Sequence, residues 1–163
     1  LKRVKTYTLV GVGAVLLLAV LIALLLLRQN TTFPFKCSGF TRYDLGRNGS
    51  VLDYHLAQDL RFQSANAGYF LLNGHVSTGD KDMTLSRTIN LDKGGKLDQD
   101  TFRYHIKAVT ASATDNTPEP LFNQLLSEFT TDSATLQLDV IQLGKQAYLI
   151  GGPISYLFTC VAY

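Results

Sequence analysis

The chain has 163 residues, with fifteen Lys or Arg against thirteen Asp or Glu, and the charges are unevenly placed. Lys2, Arg3, Lys5 and Arg28 flank one long apolar run, whereas every acidic residue lies beyond Gln29. The remainder, from Gln29 on, holds eleven basic and thirteen acidic residues, a formal −2, which excludes the basic footprint of a nucleic-acid-binding domain and leaves room for one core.

From Tyr7 to Leu27, twenty-one residues pass without a charge. At about 1.5 Å per residue such a helix covers roughly 31 Å, the thickness of a hydrocarbon core. Its nine Leu, four Val and Ile22 favour insertion by roughly 4 to 8 kcal/mol in sum. A cleaved secretory signal has an apolar core of only about 7 to 15 residues and a small-x-small cleavage site. Leu24-Leu25-Leu26-Leu27-Arg28-Gln29-Asn30 offers no such site.

The pattern therefore predicts a single N-terminal transmembrane helix over residues 7–27. By the positive-inside rule residues 1–6 are cytoplasmic, 28–36 form a short tether, and 37–163 form an extracytoplasmic domain. Ala19 and Ala23 make a small-xxx-small pair that could pack on another helix. Cys37, just after the tether, and Cys160, near the end, are the two cysteines. An even pair outside the cytoplasm is expected to form a disulfide, the alternative being two buried free thiols.

Beyond Cys37 the dominant signal is alternation, the period of a half-buried strand. Cys37 to Tyr43 reads as the first strand, and Asn48-Gly49 supplies turn chemistry. Leu52, Tyr54 and Leu56 point one way in the second, with Leu60 and Phe62 continuing that face. Asn66 to Thr78 is the third, where Gly74 suggests a bend or close backbone approach. Met83, Leu85, Arg87, Ile89 and Leu91 share a face of the fourth. Arg87 is the anomaly there, because an unpaired charge on an apolar face is costly and must reach an edge, a carboxylate or a polar cavity.

Asp92-Lys93-Gly94-Gly95-Lys96 reads as a turn, and Phe102, Tyr104 and Ile106 mark a fifth strand. Ala108 to Thr117 reads as a connection. Thr117-Pro118 signals a helix start, and Phe122, Leu125, Leu126 and Phe129 recur at helical spacing, predicting one amphipathic helix over about Pro118 to Thr130. Leu136 to Val140, Ala147 to Ile150 and Ile154 to Val161 supply the last strands. Seven or eight short strands with one helix predict a mainly-β antiparallel domain, a lipocalin-like barrel or strongly curved sheet, which a Cys37–Cys160 bond would help close.

Motifs of catalysis are missing from the chain. It has no Gly-rich phosphate loop, no Gly-x-Ser-x-Gly and no His-Glu-x-x-His,. His55, His75 and His105 fall on the polar faces of their strands, where solvent exposure is the ordinary reading and a metal site would need convergence. Asp80, Asp82, Asp98 and Asp100 read as turn residues. The Tyr and Phe residues of the strands read as core, with the lining of an apolar ligand cavity as the alternative. Asn30-Thr31-Thr32 and Asn48-Gly49-Ser50 match the glycosylation acceptor pattern, which matters only in a eukaryotic secretory pathway. No catalytic residue, metal or cofactor is assigned.

The short basic N-terminus, the single span, Cys37 soon after it, Leu85-Ser86-Arg87-Thr88-Ile89, and Gly152-Pro153-Ile154 leading to Cys160 together resemble the FidL-like inner-membrane proteins of enteric bacteria. The resemblance implies a bacterial inner-membrane protein with a periplasmic domain. It also implies a role like that of ToxS and VtrC, partners of ToxR-like transmembrane transcription regulators, some of which form lipocalin-like barrels that receive bile salts or related lipids. The expectation is a heterodimeric interaction or sensory module, not an enzyme. Arg87 is the residue chosen for an anionic bile-salt or fatty-acid-like head, with a structural salt bridge as the other reading. A membrane-anchored periplasmic hydrolase and an envelope assembly factor are the alternatives.

Overall fold

The computed structural model describes residues 13–23 and 33–163. The chain divides into two units, Leu1–Asn30 and Thr31–Tyr163. In the first, residues 13–23 are helical with exposed side chains, and the remainder of the expected anchor lies outside the described residues. Among the described residues no helix is long and apolar enough to cross a membrane.

The second unit is a mainly-β antiparallel barrel. Its strands are β1 (Phe35–Asp44), β2 (Asp53–Ser64), β3 (Ala67–Ser77), β4 (Asp82–Lys96), β5 (Thr101–Ala111), β6 (Thr130–Asp132), β7 (Thr135–Gln142), β8 (Ala147–Gly151) and β9 (Tyr156–Ala162), with helix α1 (Glu119–Leu126) between β5 and β6. Each of β1 to β4 pairs with the next, β5 pairs with β7, and β7, β8, β9 and β1 complete an eight-stranded ring. The short β6 takes the part of the β7 edge that β8 leaves open.

Strand alternation builds the core. Along β2, Tyr54, Leu56, Gln58, Leu60 and Phe62 are buried while His55, Ala57 and Gln63 face out, so one row of side chains fills the barrel. Near the end where β1 enters, Phe62 stacks on Tyr104 at 4.8 Å and lies 5.3 Å from Phe102 and 6.1 Å from Phe35. Toward the opposite end Phe70 meets Phe129 at 5.3 Å and Phe158 at 5.9 Å. These aromatics are core. Helix α1 caps that opposite end: Tyr54 donates a hydrogen bond to the Leu121 carbonyl at 2.8 Å, and the Gln124 amide donates to the Leu45 carbonyl at 3.0 Å.

Four boundaries differ from the sequence pattern, two of them for a clear local reason. The Asp92–Lys96 segment is not the turn: β4 continues to Lys96 through a register shift between Asp92 and Gly95, and the chain reverses at residues 97–100. Gly94 explains the shift, since its N–H donates to the Asn66 carbonyl at 3.1 Å and a Cβ there would run into the Tyr104 ring. The bulge bends the strand over that ring. Strand β5 runs to Ala111, into what composition marked as a connection. β1 begins at Phe35, inside the expected tether. Helix α1 ends at Leu126 rather than Thr130, yet Phe129 stays buried because its N–H donates to the Leu126 carbonyl, an i to i+3 bond that tightens the chain after the helix,.

Candidate interaction site

The buried arginine and the closure of the ring are the two places where the domain departs from a plain packed barrel. Arg87 is only 5% exposed. Its Nε and Nη2 donate to the Asp115 carboxylate at 3.2 and 3.3 Å, Nη1 to Glu119 at 2.7 Å and Nη2 to the Thr117 carbonyl at 2.7 Å. The guanidinium also lies 4.3 Å from the centre of the Phe122 ring. Most of its donors are thereby committed to one connection, residues 112–118, and to the first turn of α1.

Asp115 is as fully engaged. It accepts the Ser86 N–H at 2.8 Å and the Thr117 N–H at 3.1 Å in addition to Arg87. Burial by itself would raise its carboxyl, but the Arg87 and backbone bonds together outweigh burial and hold it below the usual carboxylate range,. The Ser112 N–H donates to the Ser86 carbonyl, the Asn116 N–H to the Thr84 carbonyl, and the Asn116 side chain accepts the Thr84 N–H at 2.7 Å. The connection thus completes the β4 edge where β5 has ended.

Closure between β1 and β9 is different. Only Cys37↔Ala162 and Ser38↔Val161 are in register. The Cys37–Cys160 disulfide crosses this seam diagonally, with the Cα atoms 5.5 Å apart. Below it the C-terminus is clamped: the Tyr163 hydroxyl donates to Asp59 at 2.9 Å, and Arg61 binds Asp59 at 2.7 Å while lying 5.7 Å from the Tyr163 ring centre. Above it, from Gly39 to Asp44, β1 has no partner residue in β9, and Phe40 stands on the outer face, 69% exposed. A shallow groove beside it is lined by Ser38, Gly39, Ala57, Gln58, Asp59 and Asn73.

The histidines stay outside the core. His55 and His75 face each other across β2 and β3, and His105 Nδ1 lies 2.8 Å from Asp92. Among the described residues no three of His, Cys, Asp or Glu converge as a group that could hold a metal ion.

Sequence reasoning placed Arg87 on the apolar face and paired the cysteines, but it did not find Asp115 or Glu119, which reach Arg87 from a stretch that reads as loop and helix start. It also passed over Gln58, which is buried on the inner face of β2 and bonds the Tyr43 hydroxyl, Nε2 donating at 2.8 Å. The signal was there, since Gln58 holds the parity of Leu56 and Leu60.

Comparison with known sequences matches residues 74–160, more than half of the chain, to the family described as "FidL-like putative membrane protein". The matched segment runs from β3 to Cys160 and so contains Arg87, its connection and α1, while Cys37 and β1 lie before it. No curated protein and no solved structure matches the chain. On the family match, the chain belongs to the FidL-like membrane-protein family.

Proposed function

We propose that this protein is a single-pass inner-membrane protein whose periplasmic barrel pairs with the outer domain of a ToxR-like transmembrane regulator and stabilises or modulates it. The apolar Tyr7–Leu27 run is the anchor, and the activity of alkaline phosphatase fused after Tyr163 checks the orientation. The observation that carries the pairing is the open stretch of β1. Unpaired strand edges accept a strand from another chain, whose backbone supplies the bonds and whose alternate side chains supply the specificity. Phe40 and Val161 flank that stretch with exposed apolar surface.

A steroid or fatty-acid-like ligand belongs to the same reading. The barrel interior is filled by Phe62, Phe70, Phe102, Phe129 and their neighbours, so such a ligand requires space that pairing opens at the seam. Arg87 could meet its anionic head only by giving up a carboxylate. Co-expression of the full-length chain with a full-length regulator, followed by purification in mild detergent, tests the pairing. Co-elution lost in Phe40→Asp with the disulfide intact supports it; no co-elution, with regulator output unchanged on deletion of this gene, overturns it. Calorimetry of the purified pair with bile salts decides the ligand separately.

A further inference from the structure

The two ends of the barrel expose different chemistry. At the end where β1 begins, Leu97 in the β4–β5 turn is 50% exposed and Leu143 in the β7–β8 turn is 59% exposed. These turns are neighbours on the rim, because the Val140 N–H donates to the Asp100 carbonyl at 2.8 Å. Phe33 sits at the same end, its ring edge-on to Phe102 at 6.1 Å. Lys36, Lys93, Lys96 and Lys145 are exposed around them. Asp98 and Asp100 share the rim, but Asp98 is turned onto the N–H groups of Asp100 and Thr101. At the α1 end the exposed charges are more evenly mixed, with Asp44, Asp80, Asp82 and Glu119 against Arg42, Arg47 and Lys81. Ile154, Tyr156 and Val51 are exposed there, at 79%, 69% and 50%, so the two ends differ in charge rather than in apolar exposure.

We infer that the β1-entry end is a membrane-contact surface, with Leu97, Leu143 and Phe33 seated in the bilayer interface and the four lysines against anionic phospholipid headgroups. Amphipathic surfaces of this kind combine shallow apolar burial with attraction of basic residues to anionic lipid. The covalent geometry allows it: the eight residue-to-residue steps from Leu27 to Phe35 reach at most about 29 Å when fully extended. The inference rests on the anchor reading and adds to it an orientation of the barrel, with the α1 end turned away from the membrane.

The chain contains no Trp, so a single introduced Trp reports its own surroundings. Full-length chains carrying Leu97→Trp, Leu143→Trp or, as control, Ile154→Trp are placed in nanodiscs of phosphatidylglycerol and phosphatidylcholine with a shallow nitroxide-labelled lipid. Emission from the first two is expected to fall by about half or more while the control is unchanged, and the quenching is expected to weaken when phosphatidylglycerol is left out. Equal quenching at all three positions, or none at Leu97→Trp and Leu143→Trp in chains that do enter the discs, overturns the inference and leaves the anchor standing. Undiminished quenching without phosphatidylglycerol overturns the headgroup contact. Chains that fail to enter the discs overturn anchor and inference together.

Discussion

Two strands of this barrel run past the neighbour that pairs them, and the molecule treats the two overhangs differently. Beyond the end of β5, the β4 edge at Thr84 and Ser86 is completed by residues 112–118, whose backbone and side chains supply the missing bonds and which Arg87 holds down from inside. Beyond Ser38, the β1 edge has no counterpart in β9; a covalent bond and the Tyr163 clamp fasten only the lower part of the seam. The fold commits a buried ion pair to one edge and leaves Gly39 to Asp44 of β1 without register partners in β9, beside the exposed Phe40. Backbone groups left without strand partners are what another chain can satisfy.

Breaking the completed edge gives the largest expected effect. Arg87→Leu strands Asp115 as a buried carboxylate and should cost about 3 to 5 kcal/mol in denaturant unfolding. The double change with Asp115→Leu is expected to recover little, because Asp115 also serves the Ser86 and Thr117 N–H groups. Acid tests the same network. The folded Asp115 carboxyl is held below its unfolded value, so its contribution is fully present above the unfolded pKa of about 3.9 and is lost as pH falls through the lower folded value. The wild-type protein should therefore lose stability below about pH 4 more steeply than Arg87→Leu does.

Next in size is the covalent fastening of the seam. Cys160→Ser should lower stability by about 2 to 5 kcal/mol, the usual cost of losing a native disulfide. The effect should appear only against the oxidised wild type: in reductant the two proteins should unfold at the same denaturant concentration. Alkylation of the unfolded, unreduced protein should leave both thiols unlabelled.

How much of this contrast is legible in the sequence depends on how far each interaction reaches along the chain. Alternation and turn residues are local, so the strands of the wall, the helical stripe of Phe122, Leu125 and Phe129, and the odd position of Arg87 were all legible. Compartment chemistry made the Cys37–Cys160 bond legible too, although its ends are 123 residues apart. Asp115 and Glu119 were not, because a loop carboxylate has no periodicity and 28 to 32 residues separate them from Arg87. The Gly94-Gly95 bulge reads as a turn for the same reason that it works as a bulge, since both exploit the backbone freedom of glycine. The open stretch of β1 is written in no local pattern at all; it arises where the first and last strands meet.

The finest distinction between the two regions is mechanical, and a pair of glycines can measure it. Gly74 in β3 and Gly39 in β1 both hold the inward parity of their strands, and a Cβ added at either would collide with a carbonyl oxygen of the adjacent strand, that of His55 for Gly74 and that of Thr159 for Gly39. The clash is similar, but the surroundings are not. Strand β3 is paired along its whole length, from Asp53↔Ser77 to Ser64↔Ala67 with β2 and from Gly68↔Leu91 to Ser77↔Asp82 with β4, so neither neighbour can retreat without breaking a ladder. Beside Gly39 the pairing with β9 has already ended, so β9 can shift outward together with its partner β8 without breaking a β1 ladder, restrained there by the disulfide at Cys160. Gly74→Ala is therefore expected to cost about 1 to 3 kcal/mol, the range for overpacking a filled interior, and Gly39→Ala distinctly less. Hydrogen exchange should agree, with faster exchange in Gly39→Ala confined to β1 and β9 and faster exchange in Gly74→Ala spread over β2, β3 and β4. Equal losses from the two substitutions would mean that the seam is as rigid as the wall and offers no strand edge to a partner.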